Sequence, residues 1–255
     1  MKIITHINPD FSAMNSFMKS VPQIFADEGE TLKKDRNEIK VIQHGQLRLC
    51  IKSFNRITAF NRLMYSWFRA TKAKRSYRVA RRLEKLGIDT PRPIGYIEVY
   101  GRWGILKKAF YVSIYHEHDF DLTAVLNSNN DDQESILSCF SQYMANVVHP
   151  SGAWHNDLSS GNVLVNAKGE EDWSFSFIDL NRMQFKRYIS PARGLINLKK
   201  LTNKPVFLAL MAEQYALAAD KREQLYAALL LRENFLFSLR RFYRKKVLRK
   251  FKPHK

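Results

Sequence analysis

The segment His155-Asn156-Asp157-Leu158-Ser159-Ser160-Gly161-Asn162 decides the fold, together with two apolar runs that follow it. The first run is Val163–Val165, and the second ends at Asp179. This order predicts a loop with a proton acceptor at Asp157, a metal-binding amide at Asn162 and a second carboxylate at the end of a strand. Mg²⁺ prefers a few hard oxygen ligands and keeps several waters, so one amide and one carboxylate suffice beside phosphate oxygens. The spacing therefore predicts a phosphoryl-transfer site.

The polar side chains of this loop have distinct predicted roles. Asp157 is expected to be the catalytic base, and His155 to organise the loop around it. Asn162 and Asp179 are expected to bind the metal. The competing interpretation, in which the loop residues only stabilise a turn and cap a strand, leaves Asp179 unexplained. Asn156 stands where many kinases carry Arg, so we expect activity that needs no phosphorylated activation loop.

The stretch from residue 21 to residue 53 is predicted to form strands joined by short turns. Apolar and polar residues alternate in Glu38–Gln43 and again in Gln46–Phe54, with His44-Gly45 as a hairpin turn. Lys52 closes the second strand about a hundred residues before the loop. A lone lysine at a strand end is usually a solvated charge, but this position predicts a contact with the α- and β-phosphates of a nucleotide.

A helical pattern follows between residues 56 and 86. Val79, Leu83 and Leu86 share one face, and Gly87 ends the helix. Later predicted elements are strands at Ile94–Val99 and Ala109–Tyr115 and helices at Asp121–Leu126 and 134–148.

These elements predict a bilobal α+β fold. The N-terminal lobe is expected to span residues 1–114 and to be rich in antiparallel strands, and the larger, helical C-terminal lobe to span residues 115–255. The break near 115–118 would be the hinge between the lobes. There, the backbone at Tyr115 and His116 is expected to hydrogen-bond the adenine of ATP.

Composition limits the class of protein. The chain of 255 residues is 45% hydrophobic, which is enough for a substantial core and excludes a disordered chain. Its two cysteines, Cys50 and Cys139, form no CxxC pair, which favours a reducing compartment and argues against a structural zinc. No run resembles a signal peptide or a membrane span, so a cytoplasmic protein is expected. The net charge of +18 indicates polyanionic partners: nucleic acid, anionic lipid headgroups or phosphorylated glycans.

The chain from about residue 30 to about residue 240 resembles the Kdo/heptose lipopolysaccharide kinase family of the protein-kinase-like superfamily. The residues that carry this likeness are Lys52, the segments 74–77 and 86–94, the loop 155–162, the segment 178–182 and the segment 194–201. The resemblance implies ATP-dependent, Mg²⁺-assisted phosphorylation of a sugar hydroxyl, on Kdo or heptose, in the lipopolysaccharide inner core. It also implies the cytoplasm of a Gram-negative bacterium, and we expect a monomer.

The sequence departs from the kinase pattern at several positions. No GxGxxG motif is present, and residues 29–37 stand in its place, where backbone amides helped by Lys34 or Arg36 would have to bind phosphate. The helix position expected to hold the glutamate partner of Lys52 carries Ser76, with Glu84 two turns further on. Ser159 replaces the lysine common in Ser/Thr protein kinases, which argues against a protein substrate.

Two basic segments are candidates for binding the acceptor. The first contains Arg182, Lys186 and Arg187, followed by Arg193, Lys199 and Lys200, and its guanidinium groups suit carboxylates and phosphates unless they only form a solvated face. The second is the helical stretch from Lys221 to Lys255, whose end is crowded with cations. It is either a helix packed on the large lobe with a frayed tail or a tether to the anionic inner face of the inner membrane.

The sequence also allows other functions. One is a kinase-like enzyme acting on another small molecule, such as an aminoglycoside-type compound, on a protein or on an RNA-linked target. Another is a non-catalytic nucleotide-binding pseudokinase, suggested by the missing glycine loop and the uncertain helix glutamate. Nucleic-acid binding, which only the charge supports, is the least favoured.

Overall fold

The computed structural model describes residues 1–35, 37–54, 64–65, 69–128 and 131–250, with side chains up to residue 246. The chain divides into two compact units. The first consists of Met1–Glu117 and Ser176–Arg182, and the second of His118–Phe175 and Met183–Lys255. The predicted lobe boundary between residues 114 and 115 stays a prediction.

The first unit consists mainly of strands. Its elements are β1 (Lys2–Ile7), α1 (Asn15–Ile24), β2 (Glu30–Lys34), β3 (Glu38–His44), β4 (Leu47–Ser53), α2 (Lys72–Lys85), β5 (Pro93–Tyr100) and β6 (Leu106–Ile114). The six strands form one antiparallel sheet in the order β1-β5-β6-β4-β3-β2. The predicted hairpin of β3 and β4 is confirmed.

The prediction of strands from residue 21 onward is wrong at its start, because residues 21–24 belong to α1. Phe17, Met18 and Val21 lie on one face of this helix and are buried against the sheet, and helical spacing of apolar residues outweighs strand formation there. Leu49 and Ile51 of β4 belong to the same core. Since side chains alternate along a strand, Lys52 points to the sheet face opposite this core.

Helix α2 packs on β5 and β6. The Thr71 hydroxyl caps its first turn by accepting a hydrogen bond from the Lys74 amide, and Gly87 follows its end with a φ of +68°. Leu83 is fully buried as predicted, but Leu86 is exposed, so the predicted face is partly wrong. The buried face instead combines Leu83 with small residues and Tyr77, which let the helix lie close to the sheet. The predicted helical residues 56–63 and 66–68 lie outside the described part of the chain.

The second unit is mainly helical. Its elements are β7 (Phe120–Asp121), α3 (Leu122–Asn127), α4 (Gln133–Tyr143), β8 (Ala153–His155), β9 (Val163–Gly169), β10 (Asp172–Phe177, whose last two residues belong to the first unit), β11 (Met183–Phe185), α5 (Pro191–Asn197), α6 (Pro205–Ala218) and α7 (Glu223–Lys250). The predicted helix at 134–148 is confirmed, with a last turn of π-helix at Met144–Val148. Strand β8 pairs with β11, and β9 lies between β7 and β10.

His149 lies in the core of the second unit. Its ring is 1% exposed and contacts the Tyr215 hydroxyl at 2.8 Å and the Asn197 side-chain oxygen at 3.4 Å. Burial lowers the pKa of His149 to about 4, so the ring is neutral at physiological pH. Gly194 gives it room, because a Cβ there would meet the Tyr215 hydroxyl and the His149 ring.

Among the described residues, no helix is long and apolar enough to cross a membrane.

Candidate active site

The loop after β8 is held by hydrogen bonds among its own polar residues. His155 ends β8 and is nearly fully buried, and its Nδ1 accepts a hydrogen bond from the Asp157 amide at 3.2 Å. Asn197 of α5 donates its side-chain amide to the His155 carbonyl at 3.0 Å. Asn162 donates its Nδ2 to the Asp157 carbonyl at 3.0 Å. The backbone at Asp157 is therefore fixed from both sides, which suits a residue that must orient a hydroxyl.

Lys200 lies beside Asp157, a contact that sequence reasoning did not anticipate. The Lys200 Nζ is 3.5 Å from Asp157 Oδ1 and 3.3 Å from the Asn156 carbonyl. This lysine therefore provides a cation at the carboxylate although Ser159 replaces the loop lysine. Lys200 lies 43 positions after Asp157, and no sequence periodicity links residues so far apart. The sequence therefore places Lys200 only in the basic segment that is a candidate for binding the acceptor.

Lys52 and Asp179 form an ion pair within the first unit. The Lys52 Nζ lies 2.7 Å from Asp179 Oδ1, and the lysine side chain is only 14% exposed. Asn181 donates its side-chain amide to the same oxygen at 2.5 Å. Asp179 has a φ of +57°, a left-handed conformation that Asp tolerates better than most residues. Lys52 is thus not a solvated strand-end lysine.

Glu84, the acid two turns beyond Ser76, is paired with a cation of its own helix. Glu84 pairs with Arg81 on its own helix at 3.0 Å. Ser76, at the expected glutamate position, donates its hydroxyl to the Lys72 carbonyl at 3.0 Å. The acid that approaches Lys52 is Asp179.

The predicted adenine-binding segment lies at the end of β6. The Tyr115 amide donates to the Arg48 carbonyl at 2.7 Å, and the Arg48 guanidinium lies 4.4 Å from the Tyr115 ring centroid. The His116 Nε2 lies 2.9 Å from the Ser176 hydroxyl. The roles of Tyr115 and His116 stay predictions.

The predicted acceptor-binding cations divide between the units. Arg182 belongs to the first unit, whereas Lys186 and Arg187 belong to the second. Lys186 and Arg193 both contact the Trp154 ring, at 5.3 and 5.6 Å from its centroid. Arg187 is exposed. Their role in binding the acceptor stays a prediction.

The segment in place of a glycine-rich loop is β2, an exposed strand that begins after Gly29 with its φ of +85°. Lys34 pairs with Glu38 at 3.7 Å, so its charge is already balanced. Arg36, the other cation predicted to assist phosphate binding there, lies outside the described residues.

Asn162 in the second unit and Asp179 in the first each carry a hard oxygen donor of the kind that Mg²⁺ prefers, and their binding of one ion stays a prediction. The Asn162 Nδ2 is engaged with the Asp157 carbonyl, which leaves the side-chain oxygen of Asn162 as the atom for a hard cation. Over the described residues, no group of three or more His, Cys, Asp or Glu could hold a metal without other ligands. Phosphate oxygens and water usually complete the coordination of Mg²⁺ in phosphoryl-transfer enzymes.

Comparison with the solved structure of WaaP supports the class of fold. WaaP in complex with acyl carrier protein matches with a TM-score of 0.59 and 16% identity, over 91% of this chain and 96% of that chain. The Rio2 kinase from Chaetomium thermophilum, solved as an ADP/Mg²⁺-phosphoaspartate complex, matches with a TM-score of 0.48 and 12% identity, over 91% of this chain and 81% of its own. The predicted α+β, protein-kinase-like fold is confirmed.

The family follows from the sequence comparison. The model of the lipopolysaccharide kinase (Kdo/WaaP) family matches residues 40–234, so the chain belongs to this family. Its members are phosphotransferases that act on hydroxyl groups, which confirms the predicted enzyme class. No curated protein matches the chain.

Proposed function

We propose that the protein transfers the γ-phosphoryl group of ATP to a sugar hydroxyl, on Kdo or heptose, in the lipopolysaccharide inner core. The observation that carries this proposal is Asp157, held by His155 and Asn162 in a chain of the lipopolysaccharide kinase family. A carboxylate on a fixed backbone can accept the proton of a sugar hydroxyl as the oxygen attacks phosphorus.

The other residues have proposed roles in binding and charge neutralisation. Lys200 orients the Asp157 side chain, since its ammonium group lies 3.5 Å from Asp157 Oδ1. Lys52 binds phosphate oxygens, and Asp179 keeps its ammonium group in position. Asn162 and Asp179 would hold Mg²⁺, which when bound neutralises charge on the phosphates.

The direct test is an ATP-turnover assay on the purified protein with defined inner-core oligosaccharides that differ in single hydroxyl groups. Phosphate transfer to one sugar, with mass spectrometry locating the new phosphate, is the expected result. ATP turnover only with aminoglycosides, proteins or RNA would contradict the proposed acceptor. Nucleotide binding without transfer to any acceptor would contradict the proposed reaction.

Replacing Lys52 separates nucleotide binding from folding. Lys52→Met should lower ATP affinity by about tenfold or more, because one charge-assisted contact to phosphate is lost. The first unit should stay folded, since Lys52 lies on the sheet face away from its apolar core. Calorimetric titration with ATP and thermal unfolding measure the two effects. Lys108→Met, an exposed lysine on β6, is the matched control, and equal ATP affinity in both variants would remove Lys52 from the site.

The end of α7 suggests how the enzyme reaches a lipid-anchored acceptor. Up to Ser238 the helix is docked on its unit: Leu230 is fully buried, and Asn234 donates hydrogen bonds to the Lys199 and Thr202 carbonyls. From Leu239 to Lys246 every residue is exposed. This part carries five cations, Arg240, Arg241, Arg244, Lys245 and Lys246.

An exposed apolar stripe accompanies these cations. Phe235, Leu239, Phe242 and Tyr243 follow helical spacing and are all exposed. A helix with an apolar stripe and many cations is suited to the surface of an anionic bilayer. We propose that this segment tethers the enzyme to the inner face of the inner membrane.

The tether predicts a difference between soluble and membrane-bound acceptors. Replacing the five cations of residues 240–246 by Gln should leave turnover on a delipidated core sugar nearly unchanged. Turnover on the same sugar carried by anionic vesicles should fall by about tenfold or more, because each cation near the bilayer contributes about 1 kcal/mol. The difference should shrink as salt rises, because exposed charges are screened over about 8 Å at physiological ionic strength.

Two outcomes would contradict the tether. Equal losses on both substrates would mean that the segment supports the fold of its unit. The other outcome is that the protein binds RNA in preference to vesicles at matched salt, or binds acyl carrier protein, which is the partner of WaaP in the solved complex. Either result would assign the basic surface to a partner other than the membrane. Removing residues 240–255 in a second variant tests the apolar stripe together with the charges.

A further inference from the structure

Helix α2 presents cations on the side where an acid was expected. Lys72 lies one turn before Ser76, and Arg75 directly before it. Lys72 and Arg75 are three residues apart, so they occupy neighbouring positions on the helix surface. The Ser76 hydroxyl is engaged with the Lys72 carbonyl. The helix therefore offers no carboxylate at this turn.

Lys72 lies close to Lys52 around one aromatic ring. The Lys52 Nζ is 5.7 Å and the Lys72 Nζ is 5.9 Å from the centroid of the buried Phe54 ring. Both ammonium groups are within reach of the attractive interaction between a cation and an aromatic face. Phe54 thus holds two lysines from different elements at one place in the first unit.

Among the described residues, positive charges outnumber negative ones around Lys72. Burial lowers the pKa of Lys72, the nearby Arg182 and Arg75 lower it further, and Asp179 opposes them. Among the described residues, Asp179 is the acid that raises the pKa of Lys72, and it already pairs with Lys52. Within the same described part of the chain, the buried Arg75 Nε has no hydrogen-bond partner. Half-buried cations that repel one another, with an unused donor among them, are unfavourable unless an anion joins them.

We propose that Lys72 and Arg75 bind the phosphate groups of the nucleotide together with Lys52 and replace the amides of the missing glycine-rich loop. This inference rests on the proposed function and adds the residues that hold its donor substrate. Phosphate groups fit because they carry the negative charge that balances the cluster and several acceptor oxygens. Asp179 remains the carboxylate that positions Lys52.

Lys72 and Arg75 are tested by measuring how tightly the protein binds adenine nucleotides that differ in their number of phosphates. In the presence of Mg²⁺, Lys72→Gln and Arg75→Gln should each weaken ATP binding by about tenfold, weaken AMP binding less and leave adenosine binding unchanged. Lys85→Gln and Arg78→Gln are matched controls, because these exposed cations lie on the same helix. Lys72→Arg should keep most of the ATP affinity because it keeps the charge.

Steady-state kinetics show whether the cluster binds the phosphates of the nucleotide or phosphates on the acceptor. We expect KM for ATP to rise in both Gln variants and KM for the core oligosaccharide to stay constant. A rise in KM for the oligosaccharide alone would assign the cluster to the acceptor and overturn the inference. Equal losses for ATP and adenosine would show a structural role and overturn it as well.

Failure of the inference can be told apart from failure of the proposed function. If the unaltered enzyme transfers phosphate while both Gln variants keep its ATP affinity, only the inference is wrong. If the unaltered enzyme transfers no phosphate to any core sugar, the proposed function is wrong, and the phosphate dependence of nucleotide binding still tests the cluster. Thermal unfolding checks each variant, and Arg75→Gln provides an independent test if Lys72→Gln does not fold.

Discussion

Asp157→Asn should lower phosphate transfer by about a hundredfold or more while ATP still binds. The substitution keeps the size of the side chain but removes the group that accepts the hydroxyl proton, and loss of general-base catalysis typically costs this much. The loop should keep its conformation, because the hydrogen bonds of the Asp157 amide and carbonyl are retained. Single-turnover transfer to a core oligosaccharide and calorimetric titration with ATP measure the two properties.

Asp172→Asn is the matched control for this substitution. Asp172 is an exposed carboxylate at the start of β10 in the same unit, so its replacement should leave turnover unchanged. If Asp157→Asn transferred phosphate at the rate of this control, Asp157 would have no part in the chemistry. If it lost ATP binding as well, the residue would act on the nucleotide rather than on the acceptor.

Asp179→Asn should weaken binding of ATP in the presence of Mg²⁺ by about tenfold or more and lower transfer by about a hundredfold or more. The substitution removes a carboxylate ligand and also leaves Lys52 without its ion pair. Asn tolerates the φ of +57° at this position, so the backbone should not be strained. Titrating Mg²⁺ at fixed ATP separates the loss of a metal ligand from the loss of lysine positioning.

Asp220→Asn is the control, because Asp220 is exposed and also has a positive φ, of +53°. Any effect of replacing Asp by Asn in a left-handed conformation should appear in both variants. ATP affinity that does not depend on Mg²⁺ in the unaltered protein would argue against metal binding by Asp179. Lys52→Met combined with Asp179→Asn should lose less than the sum of the single losses, because both groups form one ion pair.

Local patterns were sufficient to predict much of the architecture. The hairpin that carries Lys52 depends on alternation and on a turn at His44-Gly45, and both are short-range properties. The core of α2 was harder to predict, because its buried face contains alanines that a search for large apolar residues passes over. Helix α1 was missed because the stretch from residue 21 onward was expected to form strands. Its apolar residues share one face only at helical spacing.

The sequence by itself determined the protein-kinase-like fold and the lipopolysaccharide kinase family, because the loop around Asp157 and the apolar strand after it are contiguous in the chain. The tertiary structure alone decided which charges meet. Lys52 and Asp179 lie 127 positions apart, and Lys200 reaches Asp157 across 43 positions. It also brought the Lys72 ammonium group of α2 near Lys52, around the Phe54 ring. Such contacts depend on how strands and helices pack, and packing joins residues whose separation in the chain carries no periodic signal.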